Sequence, residues 1–369
     1  MSAAIPSLAA PSLCLGPVLG LGLAAPQRHG GWWPRGALYA ADFRKHRYMA
    51  GGRSITPASA FSLTRGGEAL APALDGSYQG FAADVPSRTD LGLFLSPSVN
   101  NAIADSTGAG ATLSTTDTLD GLPGSWGQSR VDGSNIRARI TAKGNIGGLP
   151  YVDVRFWGSS TVTDLQLSFS NGEGTYMPSS PGSAVLYGLN LALVAGTLTN
   201  AICRLRLTEL TASGAYLSRQ VEPVTPLPPA ATAAGLARYE RSWTVENATA
   251  ARLRAGIELS LSGVFDLTLR LAGAHLETTT AATLNARGLS APVLTRGSAV
   301  SRPEDALTLH LPQGTAAVVL TAGTGATLEI TTAYATGTGP ASIAVPSSPF
   351  GASPLVSATG WAQADPVTG

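Results

Sequence analysis

The sequence predicts an all-β protein built as an antiparallel β-sandwich or barrel. Almost every periodic segment alternates apolar and polar residues with period two, the pattern of strands that bury one face. The 43 glycines and 25 prolines among 369 residues mark turns and interrupt helices. No window carries a helical stripe of apolar residues longer than a few turns. Short alternating strands separated by turn signals are typical of antiparallel all-β domains.

The predicted strands follow one another at short spacing along the chain. The clearest early ones cover residues 136–140 and 151–157, where valines and Phe156 alternate with polar and aromatic side chains. Turn-forming clusters at 171–172 and 178–182 separate neighbouring strands. Further alternating rows cover residues 165–169, 185–193, 203–208, 239–246, 265–271 and 307–311.

Composition divides the chain into five parts. We predict an extended N-terminal docking arm over residues 1–30, a small β-rich module over 31–110 and the main β-domain over 111–285. Short strands over 286–335 are predicted to pack back on the module. The Gly/Ser/Pro-rich C-terminal tail over 336–369 is predicted to be either a linker or a second arm. The tetrapeptide Leu-Thr-Arg-Gly at 63–66 recurs at 294–297. This repeat predicts that the two flanking segments meet beside the main domain.

The first 27 residues carry no charge and contain four prolines. A secretory signal needs a basic segment ahead of an unbroken apolar stretch, and here the first basic residue, Arg28, follows the apolar stretch. A segment this apolar is a liability when it is exposed. We therefore expect the arm to dock onto another subunit.

The charge balance excludes several classes of protein. Lys and Arg number 24 against 23 Asp and Glu, and charged residues make up 13% of the chain. Nucleic-acid binding is not expected, because it requires an excess of positive charge. Disorder is not expected, because 44% of the residues are hydrophobic. Membrane insertion is not expected, because prolines break the apolar N-terminal stretch.

The sequence lacks the common catalytic and metal-binding motifs. Neither lysine follows a glycine, which excludes a Walker phosphate loop, and there is no nucleophile elbow or zinc-binding histidine pair. The two cysteines, Cys14 and Cys203, lie far apart and are predicted to be free thiols, with one long-range disulfide left open. We expect no enzymatic activity and no cofactor, with a structural calcium ion left open.

A glycoside hydrolase or lyase also stays open, because its carboxylate pair is defined by distance in space and not by spacing along the chain. The carboxylates considered for this role are Asp117, Asp120, Asp153, Asp164, Glu173, Glu240 and Asp266.

Motifs within residues 47–101 resemble a module of tailed-phage and prophage virion proteins. The Phe-x-x-x-Arg start of that module is matched by Phe61 and Arg65, and its Gly-Leu stretch by residues 92–93. Asn100-Asn101 stands near the usual Thr-Asn pair, and Ser96 replaces an acidic residue common after the Gly-Leu stretch.

A second segment, residues 265–277, is similar to the last strand of a carbohydrate-binding-like jelly roll in the same proteins. It ends in Gly-Ala-His-Leu-Glu at 273–277, matching the usual Gly-Ala-x-Leu-Glu, and the later Thr295-Arg296 and Glu304-Asp305 fit the family as well. The chain thus resembles fibre or spike proteins of tailed phages and gene transfer agents. The resemblance implies a jelly roll over 111–285.

The same resemblance implies a virion structural protein, a head spike or fibre component that adheres to host capsular or surface polysaccharide. Such a protein would be assembled in the bacterial cytoplasm, would join capsid, portal or tail subunits through the arm, and would be a homo-oligomer, because spikes sit on rotation axes. Two alternatives remain: a spike base or tail adaptor without a ligand, and a polysaccharide depolymerase tailspike.

Sugar recognition on β-sandwiches uses aromatic ring faces with polar groups nearby. Tyr151, Asp153, Arg155 and Trp157 share one face of a predicted strand, and Trp126 lies in a turn-like Gly-Ser-Trp-Gly segment. These five residues are the predicted carbohydrate-binding candidates. No catalytic or metal-binding residue is predicted.

Overall fold

The computed structural model describes residues 31–130, 135–171, 175–227, 236–281, 291–331, 341–346, 349–350 and 352–362. The predicted docking arm, residues 1–30, therefore lies outside the described residues. Apart from a single turn of helix, α1 (Pro57–Ala60), the regular structure of the described parts is strand, which confirms the all-β prediction. Within these parts, no helix has the length and apolar character needed to cross a membrane.

The chain enters the fold through short strands that precede the main domain. They are β1 (Ala37–Asp42), β2 (Arg47–Ala50), β3 (Arg53–Ser54), β4 (Phe61–Thr64), β5 (Ala69–Pro72), β6 (Tyr78–Phe81), β7 (Ser87–Thr89), β8 (Gly92–Phe94) and β9 (Val99–Asn101). β5 and β6 form an antiparallel hairpin of their own.

The main domain is built from longer antiparallel strands. They are β10 (Gly127–Arg130), β11 (Asn135–Ile146), β12 (Leu149–Ser168), β13 (Met177–Pro178), β14 (Ala184–Gly196), β15 (Ala201–Leu210), β16 (Tyr216–Pro223), β17 (Ala237–Thr244) and β18 (Arg252–Thr279). All of them belong to one hydrogen-bonded network that is folded into two layers.

Two long strands, β12 and β18, run through both layers. The register of β12 breaks between Ser160 and Thr163. The part of β12 before the break pairs with β11 and with the second half of β18. The part after the break pairs with β10 and with the first half of β18. The first half of β18 also pairs with β15, and its second half with β14. We name β11, β14, β17 and the attached halves of β12 and β18 the front sheet. β10, β13, β15, β16 and the other halves form the back sheet.

The apolar rows of the two sheets meet in one core. Val154 and Phe156 of the front sheet and Leu167 and Leu205 of the back sheet belong to the same buried cluster. Cys203 lies in this cluster as a free thiol, and burial raises its pKa to about 12. Since apolar burial is the main favourable term in folding, the alternation in the sequence decides which residues of each strand face outward.

The two flanking segments together build a second, smaller sandwich. After the main domain come β19 (Val300–Arg302), β20 (Ala306–Leu311), β21 (Thr315–Ala322), β22 (Thr327–Thr331), β23 (Ala341–Val345) and β24 (Leu355–Ala362). An eight-stranded sheet with the order β22-β21-β24-β1-β2-β3, joined by β7 and β8, faces a three-stranded sheet with the order β23-β20-β4. Side chains from both sheets, including Tyr39, Phe61 and Leu309, share one core. The flanking segments thus meet, as the repeat predicted.

The prediction of a C-terminal tail from residue 336 is wrong for the described residues beyond that point. β23 pairs with β20, and β24 lies between β21 and β1 inside the eight-stranded sheet. Leu355 and Ala358 of β24 are buried in the second core. Asp365 is the only charged residue of the segment, and its described strands pair with other elements of the same chain.

The separate β5–β6 hairpin covers part of the front sheet. Leu70 and Tyr78 from the β5–β6 hairpin pack on Leu149 and Ala272 of the front sheet. The β11–β12 turn seals this junction: the N–H of Tyr78 donates to the Gly147 carbonyl at 2.7 Å. Gly148 has φ +78°, and a Cβ there would lie 1.9 Å from the Tyr78 carbonyl oxygen. Only glycine fits this position.

Candidate functional site

The outward face of the front sheet gathers the predicted strand candidates. Side chains two residues apart on a strand share a face, and the pairing places β11 and β18 on the two sides of β12. Trp157 lies opposite Arg137 and Asp266, while Asp153 lies opposite Arg270. The face therefore combines residues from three strands.

The end of this face nearest the second sandwich is closed. Arg270 donates through Nε and Nη2 to the two carboxylate oxygens of Asp153, both at 2.8 Å, and its guanidinium carbon lies 3.7 Å from the centre of the Tyr151 ring. The hydrogen bonds to Asp153 raise the pKa of Arg270 above its usual value. Asp153 is only 3% exposed, and Tyr151 packs against the junction cluster of Leu70 and Leu149. These candidates form a closed cluster in which the Asp153 carboxylate is already paired with Arg270.

The opposite end of the face is open to solvent. Arg155 donates through Nε and Nη2 to the carboxylate of Asp266 at 2.9 and 2.5 Å, and both side chains are substantially exposed. The hydrogen bonds from Arg155 lower the pKa of Asp266. The Arg155 guanidinium lies 4.9 Å from the centre of the half-buried Trp157 ring. A guanidinium over a tryptophan ring is attracted to the electron-rich face of that ring.

A second arginine approaches the same ring. The guanidinium of Arg139 lies 5.4 Å from the Trp157 ring centre. Neighbouring Arg137 pairs with Asp117 at 3.1 Å, whereas Arg139 has no carboxylate within ion-pair distance among the residues that the structure describes. The open end thus combines an aromatic ring, an uncommitted cation and the Arg155–Asp266 pair. This combination can stack on a sugar ring and donate hydrogen bonds to its oxygens.

The structure removes Trp126 from the candidate surface. Its side chain is 5% exposed, its Nε1 donates to the Asp105 carbonyl oxygen at 2.7 Å, and its ring packs edge-on against Phe169 at 4.7 Å between centres. The expectation of an exposed turn residue is therefore wrong. The turn before β10 directs the large apolar ring into the core, where its N–H finds a carbonyl acceptor.

Most of the carboxylates considered for hydrolysis are bound by arginines. Asp153, Asp266 and Asp117 pair with arginines as described above. Asp164 pairs with Arg219 at 3.1 Å, and Glu240 pairs with Arg238. Asp120 accepts a hydrogen bond from the Thr116 hydroxyl at 2.9 Å, and Glu173 lies outside the described residues. A carboxylate whose oxygens are engaged by a guanidinium is poorly placed to act as general acid or nucleophile. In the described parts, no cluster of three or more His, Cys, Asp or Glu residues could hold a metal ion.

Four contributors to the face, Arg137, Arg139, Asp266 and Arg270, were absent from the predicted site. Each stands on the polar side of an alternating row, so the sequence marks it as outward-facing. Only strand pairing shows that Asp266 lies beside Trp157 and Arg270 beside Asp153. Knowledge of which strands neighbour β12 would have identified them.

The comparisons with known proteins give low-identity structural likenesses. No protein-family model and no curated protein matches the sequence. Among solved structures, the chain is similar to the enzymatically active domain of tailspike protein 4 of bacteriophage CBA120, with 10% identity over 48% of this chain and a TM-score of 0.29. It spans only 22% of that tailspike chain.

Two further likenesses cover more of the partner structure. Carbohydrate-binding modules of the β-sandwich superfamily match 64% of this chain and 84% of theirs, with 11% identity and a TM-score of 0.32. The tripod from the baseplate of bacteriophage Tuc2009 matches 68% of this chain and 72% of its own, with 10% identity and a TM-score of 0.31. The structural neighbours therefore include phage tail proteins and carbohydrate-binding modules.

Proposed function

We propose that this chain is a structural protein of a phage or gene-transfer-agent particle, a spike or fibre component that adheres to host-surface polysaccharide. The observation that carries the adhesion proposal is the open end of the front sheet, where Trp157 stands beside uncommitted Arg139 and the Arg155–Asp266 pair. The proposal for a virion role rests on the sequence resemblance of residues 47–101 and 265–277.

The open end has the chemistry of a saccharide platform. An aromatic ring presents an apolar surface that matches the C–H faces of a pyranose, and charged side chains at its edge supply directional hydrogen bonds. Arg139 favours a saccharide that also carries negative charge, because its guanidinium has no carboxylate partner among the described residues. A row of this kind on an open sheet face suits an extended chain of sugars.

We propose binding without hydrolysis. Two carboxylates on the face, Asp266 and Asp153, are each held by both oxygens to an arginine. Neither is free to approach a glycosidic bond while that pair remains intact. The depolymerase alternative requires a different pair of acids.

The adhesion proposal is tested with Trp157→Ala and purified capsular polysaccharide of the host. Loss of the ring should weaken binding, measured by isothermal titration calorimetry, at least tenfold, equivalent to about 1.4 kcal/mol. Tyr216→Ala is the matched control, because Tyr216 is an exposed aromatic residue on the back sheet, 58% accessible. Its removal should leave binding unchanged.

The other results of this binding experiment distinguish the adhesion proposal from its alternatives. Absence of binding by the wild-type protein and by intact particles would leave the ligand-free adaptor as the better description. Equal affinity of the Trp157→Ala protein would remove the front sheet as the binding face. Release of reducing ends from the polysaccharide during incubation would overturn the non-enzymatic proposal.

A further inference from the structure

A cavity of about 430 Å³ lies at the junction of the two sandwiches, away from the open end of the front sheet. Its wall is formed by the start and end of the β5–β6 hairpin, by residues 292–294 and by β19. Small-molecule sites commonly occur at such domain junctions and have volumes of a few hundred Å³. No step of the proposed adhesion function uses this cavity.

The cavity is lined by a buried arginine that lacks an acidic partner. Arg302 is 4% exposed, and its only hydrogen bond among the described residues runs from Nη1 to the Glu68 carbonyl oxygen at 3.0 Å. Its Nε is buried without a hydrogen-bond partner. A buried guanidinium with unused donors is costly unless something pairs with it.

The nearest acid in the sequence, Asp305, forms no hydrogen bond with Arg302 and acts on it only through its charge. Asp305 is committed to Arg65, which donates to its two oxygens at 2.9 and 2.6 Å. In the part of the chain that the structure describes, no carboxylate comes within ion-pair distance of Arg302. Burial accordingly lowers the pKa of this guanidinium from its usual value. The missing partner of Arg302 is an anion that the described chain does not supply.

We propose that the junction cavity binds a carboxylated monosaccharide, such as a hexuronic acid, with the sugar carboxylate paired to Arg302. The planar guanidinium matches a carboxylate in the two-bond arrangement that arginine favours. The rest of the lining suits the sugar ring: Phe81 and Leu70 provide apolar contact, and Ser301 provides a hydroxyl. The side chain of Glu68, 75% exposed, stands at the cavity and can accept hydrogen bonds from sugar hydroxyls.

The cavity site is separate from the face that carries Trp157. It shares no residue with that face, so its occupancy does not depend on the proposed adhesion function. It differs in form as well, since a cavity of about 430 Å³ takes a single sugar unit or a chain end, whereas an open sheet takes an extended chain.

Binding of D-glucuronate, D-glucose and acetate to the full chain, measured by isothermal titration calorimetry, tests the proposal. D-Glucuronate should bind, and D-glucose and acetate should each bind at least tenfold more weakly, because one lacks the carboxylate and the other lacks the ring. Arg302→Gln should weaken D-glucuronate binding at least tenfold. Arg137→Gln, which removes an exposed arginine of the front sheet, is the control and should leave this affinity unchanged.

A second variant keeps the test valid if Arg302→Gln fails to fold. A Cβ added at Gly67, which lines the cavity, would meet only Arg302 Cγ, at 4.0 Å, and the backbone there is not in the left-handed region. Gly67→Met should therefore fold, fill the cavity and abolish D-glucuronate binding. Its melting temperature, compared with that of the wild type, checks the fold.

Three results would overturn the proposal. They are equal affinity for D-glucose and D-glucuronate, binding of acetate as tight as that of D-glucuronate, and unchanged D-glucuronate binding in the folded Gly67→Met protein. Trp157→Ala should leave intact the D-glucuronate binding that Arg302→Gln and Gly67→Met remove, so a failure of the cavity site and a failure of the adhesion face give different patterns.

Discussion

The two copies of the Leu-Thr-Arg-Gly tetrapeptide place their arginines in opposite surroundings. Arg65 has a fully buried side chain, bonded to both oxygens of Asp305 and to the Val85 carbonyl at 2.7 Å. The side chain of Arg296 is 59% exposed and approaches Glu68 only at 3.7 Å. Identical short sequences thus carry a structural ion pair in one copy and a surface charge in the other.

Arg65→Ala should destabilise the protein by about 3–5 kcal/mol, because it leaves the buried Asp305 carboxylate without its partner. Arg296→Ala is the matched control, with an expected cost of at most about 1 kcal/mol for an exposed pair. Thermal denaturation of both variants measures the difference as a drop in melting temperature. Equal drops would show that burial of the Arg65–Asp305 pair does not decide its contribution.

Asn101 shows the same principle for an amide. Its Nδ2 donates to the carbonyl oxygens of Ala274 and Val293 at 2.9 and 2.6 Å, and its Oδ1 accepts from the N–H groups of Ile103 and Leu276, both at 3.1 Å. All the hydrogen-bonding capacity of this buried side chain is used. Arg65, Asn101 and Asp305 belong to the motifs that resemble virion proteins, and each joins segments that are remote in sequence.

At the scale of elements, β24 closes the second sandwich. It pairs with β1 on one side and with β21 on the other, so it joins the first strand of the described chain to strands that follow the main domain. Ala358 is fully buried and Leu355 is 2% exposed. A central strand of this kind completes two hydrogen-bonded ladders at once.

A chain that ends at residue 350 should lose the cooperative unfolding transition of the second sandwich. Removal of β24 leaves the ladder groups of β1 and β21 without partners, at a net cost of about 1 kcal/mol for each hydrogen bond lost. Differential scanning calorimetry of this protein, beside one that ends at residue 362, measures the effect. The longer protein retains β24 and should unfold like the full chain; an unchanged transition in the shorter one would contradict a structural role for β24.

The whole molecule is a β-sandwich inserted between the two halves of another. The main domain leaves the second sandwich after β9 and returns at β19, and these two strands pair with each other. The β5–β6 hairpin then covers one end of the front sheet and leaves the other end open. The arrangement of the two sandwiches thus separates a closed junction with a cavity from an exposed face.

The N-terminal arm is tested by deletion of residues 1–27. The first described residues after the arm, including Trp32 and Trp33, pack with Trp361 against Ala37 and Met49 on the eight-stranded sheet. The deletion leaves this cluster intact, so the protein should remain folded, with a melting temperature within a few degrees of the full chain. If the arm docks onto another subunit, mass spectrometry of purified particles should find the shortened protein absent from them. Loss of folding would instead assign the arm to the core.

The sequence by itself determined the all-β class, the alternating faces of the strands and the outward position of Arg155 and Trp157. These follow from period-two alternation, which is a local property that burial of apolar surface enforces strand by strand. Only the tertiary structure decided that Trp126 is buried, that Asp153 is closed off by Arg270 and that the Gly/Ser/Pro-rich C-terminal segment supplies a central strand. Each of these depends on a contact between residues far apart along the chain, such as the 240 positions that separate Arg65 from Asp305. Period-two alternation predicts that a residue points away from the apolar face of its strand. The packing of other strands decides whether solvent or protein lies on that side.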